Sequence, residues 1–279
     1  MEKFANYILS EKIHETRNSV IFRGYKETEG LPLIIKLLKT INPTSSEIAR
    51  FKQEYNLVKS LDVDNIVKIF DLVDYDNQYA IIEEDFGGIS LKDSLKDKEL
   101  DLQSLLRISS KVSGTLGLIH KNNIIHLDIK PDNILINPER DEVKVADFGI
   151  SAVLTHANDE LYNPDVIEGT LSYMSPEQTG RMNRGVDYRT DIYSLGVTFY
   201  EMLTGEVPFK SKDPMELIHS HIARQPLPPD HLNPSIPPVL SSIILRMLSK
   251  NPEERYQNCL GIMADLDECL RQLHQKGQV

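Results

Sequence analysis

The chain has 279 residues, with 31 Lys+Arg against 42 Asp+Glu, a formal net charge of −11, and 40% hydrophobic and 26% charged residues. That balance is globular, and the length suffices for one large domain or two smaller bodies with a core each. The acidity argues against a general binder of nucleic acid or anionic membrane, since phosphate surfaces reward positive charge. No apolar run approaches the roughly 18 residues of a membrane span, and the opening MEKFANYILSEK lacks a signal peptide's apolar stretch. Cys259 and Cys269 occur without a CxxC, which excludes a disulfide scaffold or cysteine zinc site and reads as two free core thiols. A cytoplasmic protein with no nucleic-acid partner and no membrane insertion is expected.

The first eighty-odd residues read as strands: Tyr7 to Glu11, Ser19 to Lys26, Leu31 to Leu38, and after a helix Ile66 to Val73 and Tyr79 to Ile82. Each is apolar or β-branched and bounded by polar, Gly- or Pro-containing turns. The helix opens at Pro43-Thr44-Ser45-Ser46, where hydroxyls can cap it, and repeats Ile48, Phe51, Tyr55, Val58 and Leu61 at helical spacing. Acidic residues then run into Gly87-Gly88, which reads as a hinge near 83–88. Beyond it the pattern is helical. Leu102 to Ile119 is amphipathic, Asp187 to Leu203 is apolar on nearly all sides, and Pro238 to Ser249 and Gln257 to Gln275 close the chain. Nine of the fifteen prolines lie between Pro208 and Pro252, so the short helices there are joined by stiff irregular segments. The expected organisation is a β-rich body over 1–84 and a helical body over 85–279.

Residues 124–149 read IIHLDIKPDNILINPERDEVKVADFG, with His126-Leu127-Asp128, Lys130, Asn133 and Asp147-Phe148-Gly149 set between short apolar strands. This resembles the catalytic core of the eukaryotic-like protein kinases, and the resemblance covers essentially the whole chain. It implies an α+β, bilobal protein kinase fold, with a small five-stranded antiparallel β lobe bearing one helix and a larger, mainly helical lobe. It also implies ATP and Mg²⁺ as cofactors and a protein substrate with a Ser/Thr acceptor. Phosphoryl transfer needs in-line positioning and charge neutralisation more than covalent help. Asp147 is then a Mg²⁺ ligand and Asn133 completes a second Mg²⁺ site. Asp128 orients the incoming hydroxyl, and Lys130 reaches the transferring phosphate as a point charge.

Upstream, Leu33-Ile34-Ile35-Lys36 matches the kinase strand that ends in the phosphate-binding lysine, and Glu54 is the matching helix carboxylate. Val20 stands at the valine of the glycine-rich loop and Ile82 at the gatekeeper position, and Glu83 to Asp85 would offer backbone groups to adenine. Downstream, Ser175-Pro176-Glu177 stands where kinases carry Ala-Pro-Glu, and Glu177 is expected to pair with Arg255. Asp191 and Gly196 match the start of the large buried helix. Gly169-Thr170-Leu171-Ser172-Tyr173-Met174 favours a Ser/Thr acceptor, with Thr170 bonding Asp128 and Lys130. Gly180 to Arg184 reads as a solvated basic loop.

Two departures stand out. The three glycines of the loop are replaced by Ile13, Glu15 and Asn18, which predicts a loosely closing loop and weak ATP binding. Leu127 occupies the place of an arginine that pairs with a phosphorylated activation segment, which predicts activity independent of phosphorylation at Thr155, Thr170 or Ser172. The contending reading is a pseudokinase, a nucleotide-sensing or scaffolding module. A small-molecule kinase is disfavoured by the Ser-Pro-Glu segment and Thr170. The run Gly169 to Phe209 further resembles the N-terminal kinase domain of large bacterial proteins that continue into an ATPase-like module, a GAF domain and a sensor histidine kinase. That implies partners among downstream domains of the same polypeptide.

Overall fold

The computed structural model describes residues 2–16, 18–97, 100–153 and 171–276. It divides into two compact units, Met1–Gly88 with Phe148–Ile150, and Ile89–Asp147 with Ser151–Val279.

In the first unit, β1 (Glu2–Phe4), β2 (Tyr7–Glu15), β3 (Ser19–Lys26), β4 (Pro32–Leu38), β5 (Ile69–Tyr75) and β6 (Gln78–Glu84) form one sheet in the order β1-β2-β3-β4-β6-β5. Every pairing is antiparallel. The five strands expected from the sequence are all present, and β1 adds a sixth. At three residues β1 is too short to show alternation, and it is defined by a tight reversal: Ala5 has φ +48 and Phe4 pairs with Tyr7. Those two rings join Leu9, Leu33, Ile35, Ala80 and Ile82 in one buried cluster. Gly24 lets β2 and β3 approach, because a Cβ there would lie 2.2 Å from the Ile8 carbonyl oxygen. Helix α1 (Ser45–Ser60) starts from a capping box, in which the Thr44 Oγ1 accepts the Glu47 N–H and the Glu47 carboxylate accepts the Thr44 N–H at 2.8 Å. Its buried face is Phe51, Leu57 and Val58 with one charged residue among them, Glu54.

The second unit is organised around α4 (Arg189–Thr204), buried at every position from Thr190 to Tyr200 and again at Met202, and ended by Gly205 at φ +74. Ahead of it come β7 (Ile89–Ser90), α2 (Leu91–Asp97) and α3 (Leu102–Lys121), the last capped by Asp101 accepting the Ser104 N–H. Then follow β8 (Ile124–Ile125), β9 (Ile134–Asn137), β10 (Glu142–Val145) and β11 (Ala152–Val153), arranged as a three-stranded sheet β10-β9-β7 and a separate pair β11-β8. Helices α5 (Pro214–Ala223), α6 (Pro229–Leu232) and α7 (Pro238–Met247) each begin on proline, whose missing N–H costs nothing in a first turn. The last helix, α8 (Cys259–Lys276), lies close on α3 at Gly117, where a Cβ would come within 2.8 Å of the Leu260 side chain. Both cysteines are free and buried. Among the described residues no helix is long and apolar enough to cross a membrane.

Candidate active site

The loop between β8 and β9 carries Asp128, Lys130 and Asn133, and the structure brings the three together. The Asp128 Oδ2 accepts from Lys130 Nζ at 2.6 Å and from Asn133 Nδ2 at 2.9 Å, while the same Nδ2 donates to the Asp128 carbonyl at 2.8 Å. Both amide hydrogens of Asn133 are thus committed, which fixes the amide plane and leaves its Oδ1 as the end able to serve a cation. The short strands act as clamps, because Asn133 also accepts the Ala146 N–H at 2.9 Å through its backbone carbonyl. That bond ties the Asn133 turn to the segment leading into Asp147, which follows β10. Asp147 is held at φ +62, a left-handed conformation that Asp tolerates better than most residues. A carboxylate and an amide oxygen are the hard donors that Mg²⁺ selects, so these side chains suit the metal in type.

The backbone around Asp128 is strained and heavily held. Leu127 has φ +69, where a β-carbon costs roughly 1–2 kcal/mol, and it is only 2% exposed. The buried Asp191, in the first turn of α4, accepts the N–H groups of His126 and Leu127, each at 2.8 Å. Its carboxylate also meets His120 Nε2 at 2.8 Å, with Cys259 Sγ 3.7 Å from the other ring nitrogen. Burial alone would lower the His120 pKa, but Cys259 and the Asp191 carboxylate outweigh it and raise it. His126 is fully buried and bonds the Ala146 carbonyl through Nε2 at 3.1 Å, which ties the loop to the segment ahead of Asp147. Sequence reasoning placed Asp191 on the helix but missed its work; an acidic residue in an otherwise apolar helix was the available signal.

In the first unit, Lys36 Nζ and Glu54 Oε1 stand 2.6 Å apart, with side chains 8% and 5% exposed. Register explains the meeting: Lys36 lies between Ile21 of β3 and Ile81 of β6, on the strand whose alternate residues build the core. Val20 pairs with Leu37, Ile82 with Ile35 and Glu83 with Ile34, so all three expected nucleotide contacts flank β4. Asp85 lies just past β6, where its carboxylate accepts from Arg23 Nε at 2.8 Å and from the Gly87 N–H at 2.9 Å.

At the glycine-replaced turn, the Thr16 hydroxyl accepts the Asn18 N–H at 3.3 Å and the Ser19 N–H at 3.0 Å. Glu15 forms ion pairs with Lys12 and Lys39. Hydrogen bonds to Lys12 first and Lys39 second hold its carboxyl down at about 2, so its charge is compensated locally.

Glu177 and Arg255 form the ion pair expected from the sequence, at 2.6 and 2.9 Å, with both side chains almost wholly buried. In the basic loop, Arg184 pairs with Glu253. Thr170 lies outside the described residues, as does Thr155.

Comparison with known proteins places this geometry. Residues 7–267 match the model of the protein kinase domain. A probable serine/threonine-protein kinase of Clostridium perfringens is 35% identical over 94% of this chain and 38% of its own length. The serine/threonine-protein kinase PksC of Streptomyces coelicolor is 30% identical over 95% of this chain and 48% of its own. PrkC of Bacillus subtilis, another serine/threonine-protein kinase, is 34% identical over 83% of this chain and 35% of its own. The chain therefore spans less than half the length of these relatives.

Proposed function

The chain belongs to the protein kinase family, and on that premise we propose that it is an ATP- and Mg²⁺-dependent serine/threonine protein kinase. It would transfer the γ-phosphate to Ser/Thr hydroxyls of a protein substrate. The observation that carries this reading is the Asp128 carboxylate held at once by Lys130 and Asn133 in one clamped loop. In it, Asp128 orients the acceptor hydroxyl and takes its proton late, while Lys130 lies on the transferring phosphate. Lys36, aimed by Glu54, takes the α- and β-phosphates, and Val20, Ile82 and the Glu83 to Asp85 backbone receive the adenine. Asn133 and Asp147 hold Mg²⁺, which when bound neutralises charge on the phosphate oxygens. Thr170, by resemblance, shapes the Ser/Thr acceptor site. The free buried thiols suit a reducing cytoplasm. The short span against the relatives is consistent with further domains in the same polypeptide, which are proposed as partners.

Incubation with radiolabelled ATP and a generic protein acceptor tests the reading. Label enters protein with Mg²⁺, stops when the metal is chelated, and resumes when Mg²⁺ is restored. Transfer that ignores chelation, or none under any condition, rejects it.

The absent glycines favour a second reading, a pseudokinase. Thermal melting with ATP and Mg²⁺ separates the two, since a ligand of the folded state must raise the melting temperature. A shift without transfer selects the pseudokinase. Under either reading the glycine-poor turn predicts affinity weaker than low micromolar, and a tighter titration contradicts that.

Leu127 leaves the loop without the cation that a phosphorylated segment would need. Phosphatase treatment is therefore expected to leave the transfer rate within about twofold, the spread of ordinary surface effects. Collapse of the rate after treatment is the contrary result.

A further inference from the structure

The peptide group joining Leu127 to Asp128 is held from outside its own loop. The Leu127 carbonyl accepts Gln178 Nε2 at 3.0 Å, across fifty-one residues of chain. Gln178 is not free to swing: its Oε1 accepts the Ser175 N–H at 2.9 Å, and its own N–H reaches Ser175 Oγ at 3.4 Å. The side-chain amide therefore bridges the buried Ser175-Pro176-Glu177 turn, itself anchored by Arg255, to the strained backbone at φ +69.

The Leu127 carbonyl and the Asp128 N–H lie in one peptide plane. Fixing the first fixes the plane from which the Asp128 side chain departs. Asp191 holds the N–H at the other side of Leu127 at 2.8 Å, so the residue in the disfavoured conformation is gripped at both its peptide groups. A backbone kept in a sparsely populated region persists only where its surroundings over-determine it.

We propose that Gln178 is a positioning residue: its amide sets the Leu127–Asp128 peptide plane and so aims the Asp128 carboxylate. It would link the order of the 175–179 turn to the catalytic loop by a neutral hydrogen bond where no arginine is present. The inference rests on the kinase reading, with Asp128 as the residue that orients the acceptor.

Two variants divide the bonds of Gln178. Gln178→Glu keeps the acceptor for the Ser175 N–H but loses the donor to Leu127; Gln178→Met keeps the length and loses both. Steady-state phosphate transfer and thermal melting are measured on each beside the wild type. Gln178→Glu is expected to lower kcat about tenfold, the size of one bond to an otherwise unpaired carbonyl. KM for ATP should stay within about twofold, because Lys36 and Glu54 are untouched, and the melting temperature should fall less than in Gln178→Met, because the bond to the Ser175 N–H is kept. Gln178→Met lowers kcat to a similar degree and also the melting temperature, and it carries the test should the Glu variant not fold. A Gln178→Glu enzyme with kcat within about twofold of wild type overturns the proposal, because the turn's own bond is retained there. So does a kcat loss matched by an equal rise in KM. Wild type that transfers no phosphate rejects the kinase reading and this inference together, whereas an active wild type with an indifferent Gln178 rejects the inference alone.

Discussion

Asp147→Asn lowers phosphate transfer by at least on the order of 10²–10³, by analogy with the loss of one preorganised charge-stabilising group. Asparagine is the informative substitution because of the backbone. Residue 147 sits at φ +62, which Asp and Asn accept and alanine accepts only at a cost of roughly 1–2 kcal/mol. An alanine variant would mix loss of the carboxylate with local rearrangement after β10. The asparagine variant removes the charge and keeps the shape, so its melting temperature should match that of the wild type while its rate does not. The measurement is incorporation of radiolabel from ATP into a generic protein at fixed Mg²⁺. Equal incorporation by the two proteins would remove Asp147 from the metal site and, with it, the enzymatic reading.

The largest effect on stability is expected at Arg255. Its guanidinium lies against the Glu177 carboxylate at 2.6 and 2.9 Å and donates to the carbonyls of Ser249, Arg189 and Lys250. Thr190 Oγ1 donates to Glu177 at 2.9 Å, so both charges are fully satisfied within the fold. Arg255→Met leaves a carboxylate buried without its counter-charge, at a cost of about 3–5 kcal/mol. At a few degrees per kcal/mol that is a fall in melting temperature of roughly 10 °C. Glu177→Gln should cost less, because the guanidinium keeps its three carbonyls and the amide still accepts from Thr190. Changing both residues to methionine recovers part of the Arg255→Met loss, since no lone charge then remains inside. A double variant less stable than Arg255→Met would show that packing, not charge pairing, governs this site. The role is structural, so any loss of activity in these variants should track the loss of folded protein.

The departures from the kinase pattern divide in their consequences. Glu15 puts a negative charge where the second glycine of the loop would stand. Lys12 and Lys39 compensate it, and neither lysine carries a sequence signal for that task, since paired surface charges are ordinary. The turn that lacks glycines closes instead on the Thr16 hydroxyl. Leu127 looked like the loss of a cation; it is also a leucine in a left-handed conformation, held by two distant side chains.

What the amino-acid order alone determined were the features that depend on neighbours in the chain. These are the strand and helix periods, a helix start capped by a hydroxyl among Thr44 to Ser46, the Asp128-Lys130-Asn133 spacing that closes on itself within six residues, and the family those residues announce. Lys36 and Glu54, eighteen residues apart, were legible only through the resemblance to the kinase strand and helix, since either charge alone reads as a solvated one. Tertiary structure alone decided the contacts made across long stretches of chain: Asp191 gripping His126 and Leu127, and Gln178 reaching the Leu127 carbonyl. The physical reason is that one side chain's hydrogen-bonding capacity is written in its type, whereas the partner that satisfies it is chosen by which distant backbone groups burial leaves within reach.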